Sequence, residues 1–273
     1  MTFATPDTLN WGVNTLPLFA GAAGEDGIRV PGKVAQVRDD NGAVLGITSP
    51  SYEVFQNSSL RDLIMPHVEE GLLTITAMGY LGDGEKVYIQ AQMADEYTIA
   101  GETHRARLTL LNSHNGTAAL AAGVTDHRVI CSNTFAMAMT DMSTRLRHNA
   151  AIHDGALGIT EVLSYVDQNM RTFGEHSERL AIRGCNVEEL DTVIRAAYGK
   201  EEAESVRGYN NIVRLFRSGR GNAGATMWDA VNAITEYTTH YAQKDNDKRF
   251  ASSNFGRNAV VARRAYATAL AMV

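Results

Sequence analysis

The sequence predicts an α+β fold, with an antiparallel β-sheet in the N-terminal half packed with a mostly α-helical C-terminal half. Three observations carry this. In the first half, apolar and polar residues alternate in short runs separated by Gly and Asn turns, the period of a half-buried strand. In the second half, apolar residues recur at helical spacing between capping residues. No run of about 18 apolar residues occurs, so no membrane-spanning helix is expected.

Residues 1–27 read as an N-terminal arm, because Gly21, Gly24 and Gly27 among small and acidic residues suit a mobile loop. The opening MTFATPDTLNWG lacks the basic start and apolar run of a signal peptide, so a cytoplasmic location is expected. A β-rich core is expected over 28–152. Val34–Arg38 and Ala43–Ile47 flank Asn41-Gly42, whose tolerance of positive φ marks a tight hairpin. Ser58 to Glu70 reads as a short helix interrupted near Pro66. Strands follow at Leu73–Met78 and Lys86–Met93, joined through Gly82-Asp83-Gly84. In the second, Val87, Ile89, Ala91 and Met93 share one face and Tyr88, Gln90 and Gln92 the other. Further strands are expected at His104–Leu111 and Ala118–Cys131, a short helix at Asn133–Met142, and a last strand at Thr144–Ile152 with Arg145, Arg147 and Asn149 on one side.

Residues 153–273 read as a helical region forming one compact unit with the core. A helix is expected from Asp154 to Leu180. Asn186 with Glu189 forms a capping box for the next, which ends at Gly199. Helices follow at Glu202–Ser218, from Thr226-Met227-Trp228-Asp229 onward, and at Asn258–Met272.

The net charge of −6 argues against a generally basic nucleic-acid binder, but its distribution is uneven. Residues 1–140 hold 8 Lys+Arg against 15 Asp+Glu, whereas residues 207–273 hold 10 against 4. A basic terminal third can approach phosphates on an acidic chain, and solvated helix faces give the same count. Cys131 and Cys185 form no paired motif, which predicts two buried reduced thiols.

Several strings, in order along the chain, resemble the phage/plasmid-like family of unknown function (the domain of unknown function 932 type). They are Val30-Pro31-Gly32-Lys33, Leu45-Gly46-Ile47, Tyr52-Glu53-Val54-Phe55-Gln56-Asn57, Asn112-Ser113-His114-Asn115-Gly116-Thr117-Ala118-Ala119 and Arg128 to Thr134. Trp228 to Tyr237, Arg249-Phe250 and Phe255-Gly256 complete the set. The resemblance implies a protein carried by phages, prophages or plasmids. It implies no agreed activity.

Ser113, His114 and Asn115 form a polar turn able to present a hydroxyl, an imidazole and backbone N–H groups, or simply to satisfy its own backbone. Asn232, Glu236 and His240 fall at i, i+4 and i+8 on one helix face, either as a polar site or as a solvated face. Tyr237 and Tyr241 on the adjacent stripe read as core. His104, His114, Asp126 and His127 have a composition that can bind metal but no metal-ligand spacing, so no metal and no cofactor is expected. Arg214, Arg217 and Arg220 lead into Ser218-Gly219-Arg220-Gly221-Asn222, read as a flexible basic loop, with pairing to Glu202 and Glu204 as the alternative.

The leading expectation is a single-stranded DNA-binding or annealing protein of recombination or replication. It would be a homo-oligomer that needs no ATP, by analogy with phage annealing recombinases. Lys33, Arg105, Arg107, Arg128, Arg145, Arg147, Arg214, Arg217 and Arg220 are the candidate phosphate contacts. The alternatives are a metal-dependent hydrolase or nuclease using His114, Asp126 and His127, and a protein-binding module that antagonises host defence.

Overall fold

The computed structural model describes residues 6–21, 27–128, 133–136, 144–156, 163 and 165–273. It is an α+β structure, with antiparallel sheets in the N-terminal half and helices mostly in the C-terminal half. Strands β1 (Val13–Ala20), β2 (Ile28–Arg38) and β3 (Val44–Thr48) form one sheet in that order. A second sheet has the order β4 (Leu73–Leu81), β5 (Lys86–Ile99), β6 (Glu102–Ser113), β7 (Leu120–Arg128) and β8 (Asn133–Ala136). β9 (Thr144–Leu146) pairs with Leu120–Ala122 of β7, whereas β8 pairs with its Thr125–Arg128 end.

The chain divides into two compact units that draw on both halves of the sequence. The first comprises Met1–Ala94, Leu108–Gly123 and Met142–Ser164; the second comprises Asp95–Arg107, Val124–Asp141 and Tyr165–Val273. In the first, Val87, Ile89 and Ala91 are buried as their alternation predicts, together with Phe55, Leu60 and Leu110. Met93 is only half-buried, and Gln90 is buried because its Nε2 donates to Thr109 Oγ1 at 3.1 Å. The first unit also holds short helices α1 (Asn57–Asp62), α2 (Met65–Glu69) and α3 (Ile152–Ala156).

The second unit is built on α4 (Val166–Ile182), α5 (Val187–Tyr198), α6 (Tyr209–Ser218), α7 (Met227–Glu236), α8 (Asn246–Phe255) and α9 (Arg257–Ala271). Every residue of α7 is buried, so this helix is the axis of the second core. The capping box at Asn186 and Glu189 is present, and Gly199 closes α5 at φ 62° in the left-handed region. Thr226 and Asp229 form a second capping box at the start of α7.

Several expectations are corrected. Val13–Ala20 is a strand, not part of an arm. Its outer residues Leu16 and Phe19 are exposed and Pro17 sits at a bulge, so no alternation marks it. The β2–β3 hairpin forms, but only Gly42 takes positive φ, at 73°. Gly42 N–H donates to the Arg38 carbonyl, which makes a wider turn with an irregular register at Val37. Asn133–Ala136 is strand rather than helix, because its backbone completes the edge of β7; the rest of that expected helix lies outside the described residues, as does Cys131. The expected strand at 144–152 ends at Leu146, and Ile152 opens α3. Glu202–Ser218 is broken, because Gly208 at φ 96° starts α6 afresh. Helix α8 was not anticipated from the sequence; its apolar periodicity is weak.

Candidate functional site

In the first unit, Asn112 and Ser113 end β6 and His114 follows directly, beside the segment Tyr52–Asn57. Asn112 Nδ2 donates to the Phe55 carbonyl at 2.7 Å, and the Tyr52 hydroxyl donates to the Ser113 carbonyl. Asn57 Nδ2 donates to the Trp11 carbonyl at 2.9 Å, so its Oδ1 is an acceptor. That oxygen lies 2.9 Å from His114 Nε2, which therefore carries the proton. His114 Nδ1 is left as a buried lone pair with no partner among the described residues. Burial, with a smaller repulsion from His148, holds its pKa down to about 4, so the ring is neutral at pH 7.

His148 lies outside the expected candidates. It stacks on Tyr52 at 4.5 Å with planes 14° apart. Its Nδ1 faces the Glu53 carbonyl at 2.9 Å and must donate to it, leaving Nε2 buried without a partner among the described residues. Burial lowers its pKa, against the opposing pull of the Glu53 carbonyl. Asn112 Oδ1 is a third buried acceptor without a partner there.

The rest of the expected trio serves the turn. Ser113 Oγ donates to Asn115 Oδ1 at 2.8 Å, and that oxygen also accepts from Thr117 N at 3.1 Å. Gly46 permits the approach of β3 to this turn, since a Cβ there would lie 2.6 Å from Asn115 Cβ. Trp11 meets the His114 ring at 5.6 Å and carries the Arg38 guanidinium 4.0 Å above it.

In the second unit, the loop between α6 and α7 is anchored rather than flexible. The buried Asp229 carboxylate accepts from Ala225 N at 3.0 Å, Thr226 N at 3.1 Å and Ala223 N at 3.4 Å. Asn222 Nδ2 donates to the Leu215 carbonyl at 3.1 Å, and Glu236 Oε2 accepts from Arg220 N at 3.3 Å. Asn232 and Glu236 are buried, so the solvated-face reading fails for both.

This anchored loop holds Arg220 at the surface beyond Arg214 and Arg217 of α6, and all three side chains are exposed. None is ion-paired among the described residues, so the expected alternative of pairing with Glu202 and Glu204 is not what is found. The Arg214 guanidinium lies 5.9 Å from the centre of the Tyr241 ring. Tyr241 was expected in the core beside Tyr237. Residues Tyr237–Tyr241 instead form a π turn, with Ala242 N–H bonding the Tyr237 carbonyl at 2.9 Å. The wider turn changes the facing of its last residue, so Tyr237 is buried while Tyr241 is 49% exposed. It also takes His240, half-buried, off the expected i+8 line.

The remaining candidates are dispersed. Lys33, Arg145 and Arg147 are exposed residues of the first unit. In the second, Arg105 is ion-paired with Glu96, and Arg107 is half-buried. The backbone of Arg128 pairs with Asn133, and its side chain, with those of Asp126 and His127, lies outside the described residues. His104 is buried against Phe173 and Trp228 in the second unit. Among the described residues, no three His, Cys, Asp or Glu side chains are grouped to hold a metal. Cys185 is a free buried thiol whose pKa burial pushes up to about 11.

A family described as a domain of unknown function (DUF932) matches residues 44–265. No curated protein and no solved structure matches the chain. No helix among the described residues is long and apolar enough to cross a membrane.

Proposed function

The chain belongs to the DUF932 family, and from that premise we propose that it binds single-stranded DNA through Arg214, Arg217, Arg220 and Tyr241. The observation that supports this is the company these residues keep: three exposed guanidinium groups without carboxylate partners among the described residues, beside a half-exposed aromatic ring. Guanidinium groups follow a phosphate backbone, while an open aromatic face stacks an unpaired base of any identity. A duplex keeps its bases stacked on each other, so the ring favours a single strand. The local excess of cations over 207–273 supports such contacts on a chain of net charge −6. A role in recombination or replication on a phage or plasmid, in a homo-oligomer, belongs to the same proposal.

The test is fluorescence anisotropy of a labelled oligonucleotide at low salt, with wild type and Tyr241→Ala. Stacking of one base is worth about 1–3 kcal/mol, so the variant should bind roughly 5- to 150-fold more weakly. Equal binding to duplex and single strand, unchanged by Tyr241→Ala, would remove the ring from the reading. A partner protein recognised without any nucleic acid would replace it.

A further inference from the structure

In the first unit, the outer parts of β1 and β2 stand apart from the core. β3 pairs with β2 only over residues 34–37, so residues 28–33 have β1 alone beside them among the described residues. Within residues 14–20 and 28–33, Leu18 and Val30 are half-buried and the rest are exposed. Phe19 lies opposite Arg29, and Ala20 opposite Ile28, so this ribbon carries Phe19 on one face and Ile28 on the other. A two-stranded ribbon open on both faces is marginal in water at best, and it gains stability from a surface to lie on.

We propose that this ribbon docks on the three-stranded sheet of a second copy, against Leu16, Val44 and Ile47. Such docking gives the proposed homo-oligomer its interface; it rests on that part of the reading and not on the arginine patch. Leu16 and Ile47 lie on either side of the buried Ala35 across one sheet face, and Val44 is exposed farther along β3. β1 and β2 run on from that face, so the ribbon reaches it only in another copy. With Phe19 and Ile28 these residues are each between 47% and 79% exposed. At roughly 150 Å² for a whole large side chain, the five leave on the order of 450 Å² of apolar surface open. A standard interface takes about 800 Å² from each partner, a little over half of it apolar, so the five supply one copy's share. Charge agrees. Of the 8 Lys+Arg in residues 1–140, Arg29 and Lys33 are the ribbon's, which leaves six against 15 Asp+Glu elsewhere. A cationic ribbon is thus drawn to the acidic body of another copy. Backbone pairing along the outer edge of β1 is disfavoured. The Gln56 side chain takes the Val13 N–H at 3.0 Å and the Val13 carbonyl at 2.9 Å, and Pro17, facing the same way, has no N–H. Side chains therefore make the contact.

The experiment is sedimentation velocity of tag-free protein at micromolar concentrations. The wild type should assemble. Phe19→Ser with Ile28→Ser should raise the dissociation constant at least about tenfold, and so should Val44→Ser with Ile47→Ser. All four positions are exposed, so circular dichroism should be unchanged. Mixing the two double variants should restore part of the assembly, because each supplies the surface the other lacks. Arg29→Glu, which keeps every apolar contact, should weaken assembly chiefly at low salt. A monomeric wild type overturns the proposal, as does either double variant assembling like the wild type, or a mixture no more assembled than its components. A ribbon variant that assembles normally but loses affinity for an oligonucleotide or for anionic vesicles assigns the ribbon to that partner and overturns it too. Anisotropy on the same samples separates the two readings. An oligomer without salt-dependent affinity for single strands removes the arginine patch and leaves this interface; a monomer with that affinity does the reverse.

Discussion

In the second unit, the buried carboxylates of Asp229 and Glu236 meet backbone N–H groups of the loop beside them. In the first, the buried acceptors of Asn112, His114 and His148 meet no donor among the described residues. A satisfied buried carboxylate is a structural device: it fixes a loop and so fixes what the loop displays. An unsatisfied buried acceptor costs stability unless something outside the chain satisfies it. In the second unit, Asp229 and Glu236 thus fix the loop that displays Arg220 at the surface beyond Arg214 and Arg217, whereas in the first no described donor meets the three acceptors.

The sharpest break of this contrast is at Asp229. Asp229→Ala removes the acceptor of three loop N–H groups and the reciprocal half of the α7 capping box. A loss of about 3 kcal/mol in urea unfolding is expected, with looser DNA binding through the released Arg220. A loss below about 0.5 kcal/mol, the level of an ordinary surface change, would show that the loop holds itself.

Acid separates the units next. The folded pKa of His114, about 4, lies below its ordinary value of 6.5. Above pH 6.5 neither folded nor unfolded chain is protonated there, and nothing is lost. As pH falls from 6.5 towards 4, the unfolded chain takes up a proton that the folded chain refuses, and stability falls by about 3 kcal/mol. Chelator-treated wild type and His114→Gln, unfolded in urea at pH 7 and pH 4.5, test this: the variant should lose distinctly less. Equal losses would place the acid sensitivity elsewhere.

A smaller effect is expected at Gly46, where Ala would drive a methyl into the Asn115 backbone and side chain. About 2 kcal/mol should be lost, and His114 tertiary contacts should loosen without any change at the arginine patch. Chemical shifts of the His114 and Trp11 rings report the first; oligonucleotide affinity reports the second. Changed DNA affinity here would blur the contrast.

What was legible in the sequence was local. Asn186, Glu189 and Gly199 announce a helix through contacts within a few residues, and Val87, Ile89 and Ala91 announce a buried face through their own alternation. The strand β1 was not legible, since its pairing with β2 is long-range and most of its side chains face outward. Tyr241 was misplaced because helical spacing assumes an unbroken α-helix, and nothing in Tyr237–Tyr241 signals the π turn. Of the site in the first unit, His114 was legible as part of a polar turn. His148 was not, because its role depends on the Glu53 carbonyl and the Tyr52 ring, which are distant in sequence. The arginines Arg214, Arg217 and Arg220 were legible as a basic run, but their freedom from carboxylates among the described residues required the fold.

The proposal of single-strand binding is tested most directly by the salt dependence of oligonucleotide affinity, in wild type and in the Arg214→Ala, Arg217→Ala double variant. Each phosphate contact on a single strand contributes about 0.7 to the slope of log affinity against log salt. The double variant should bind more weakly across all sequences, with a slope shallower by roughly 1–1.5, and should keep its stability because both side chains are exposed. A wild type with no salt-dependent affinity for single strands at low ionic strength, or a double variant whose slope equals that of the wild type, would contradict it.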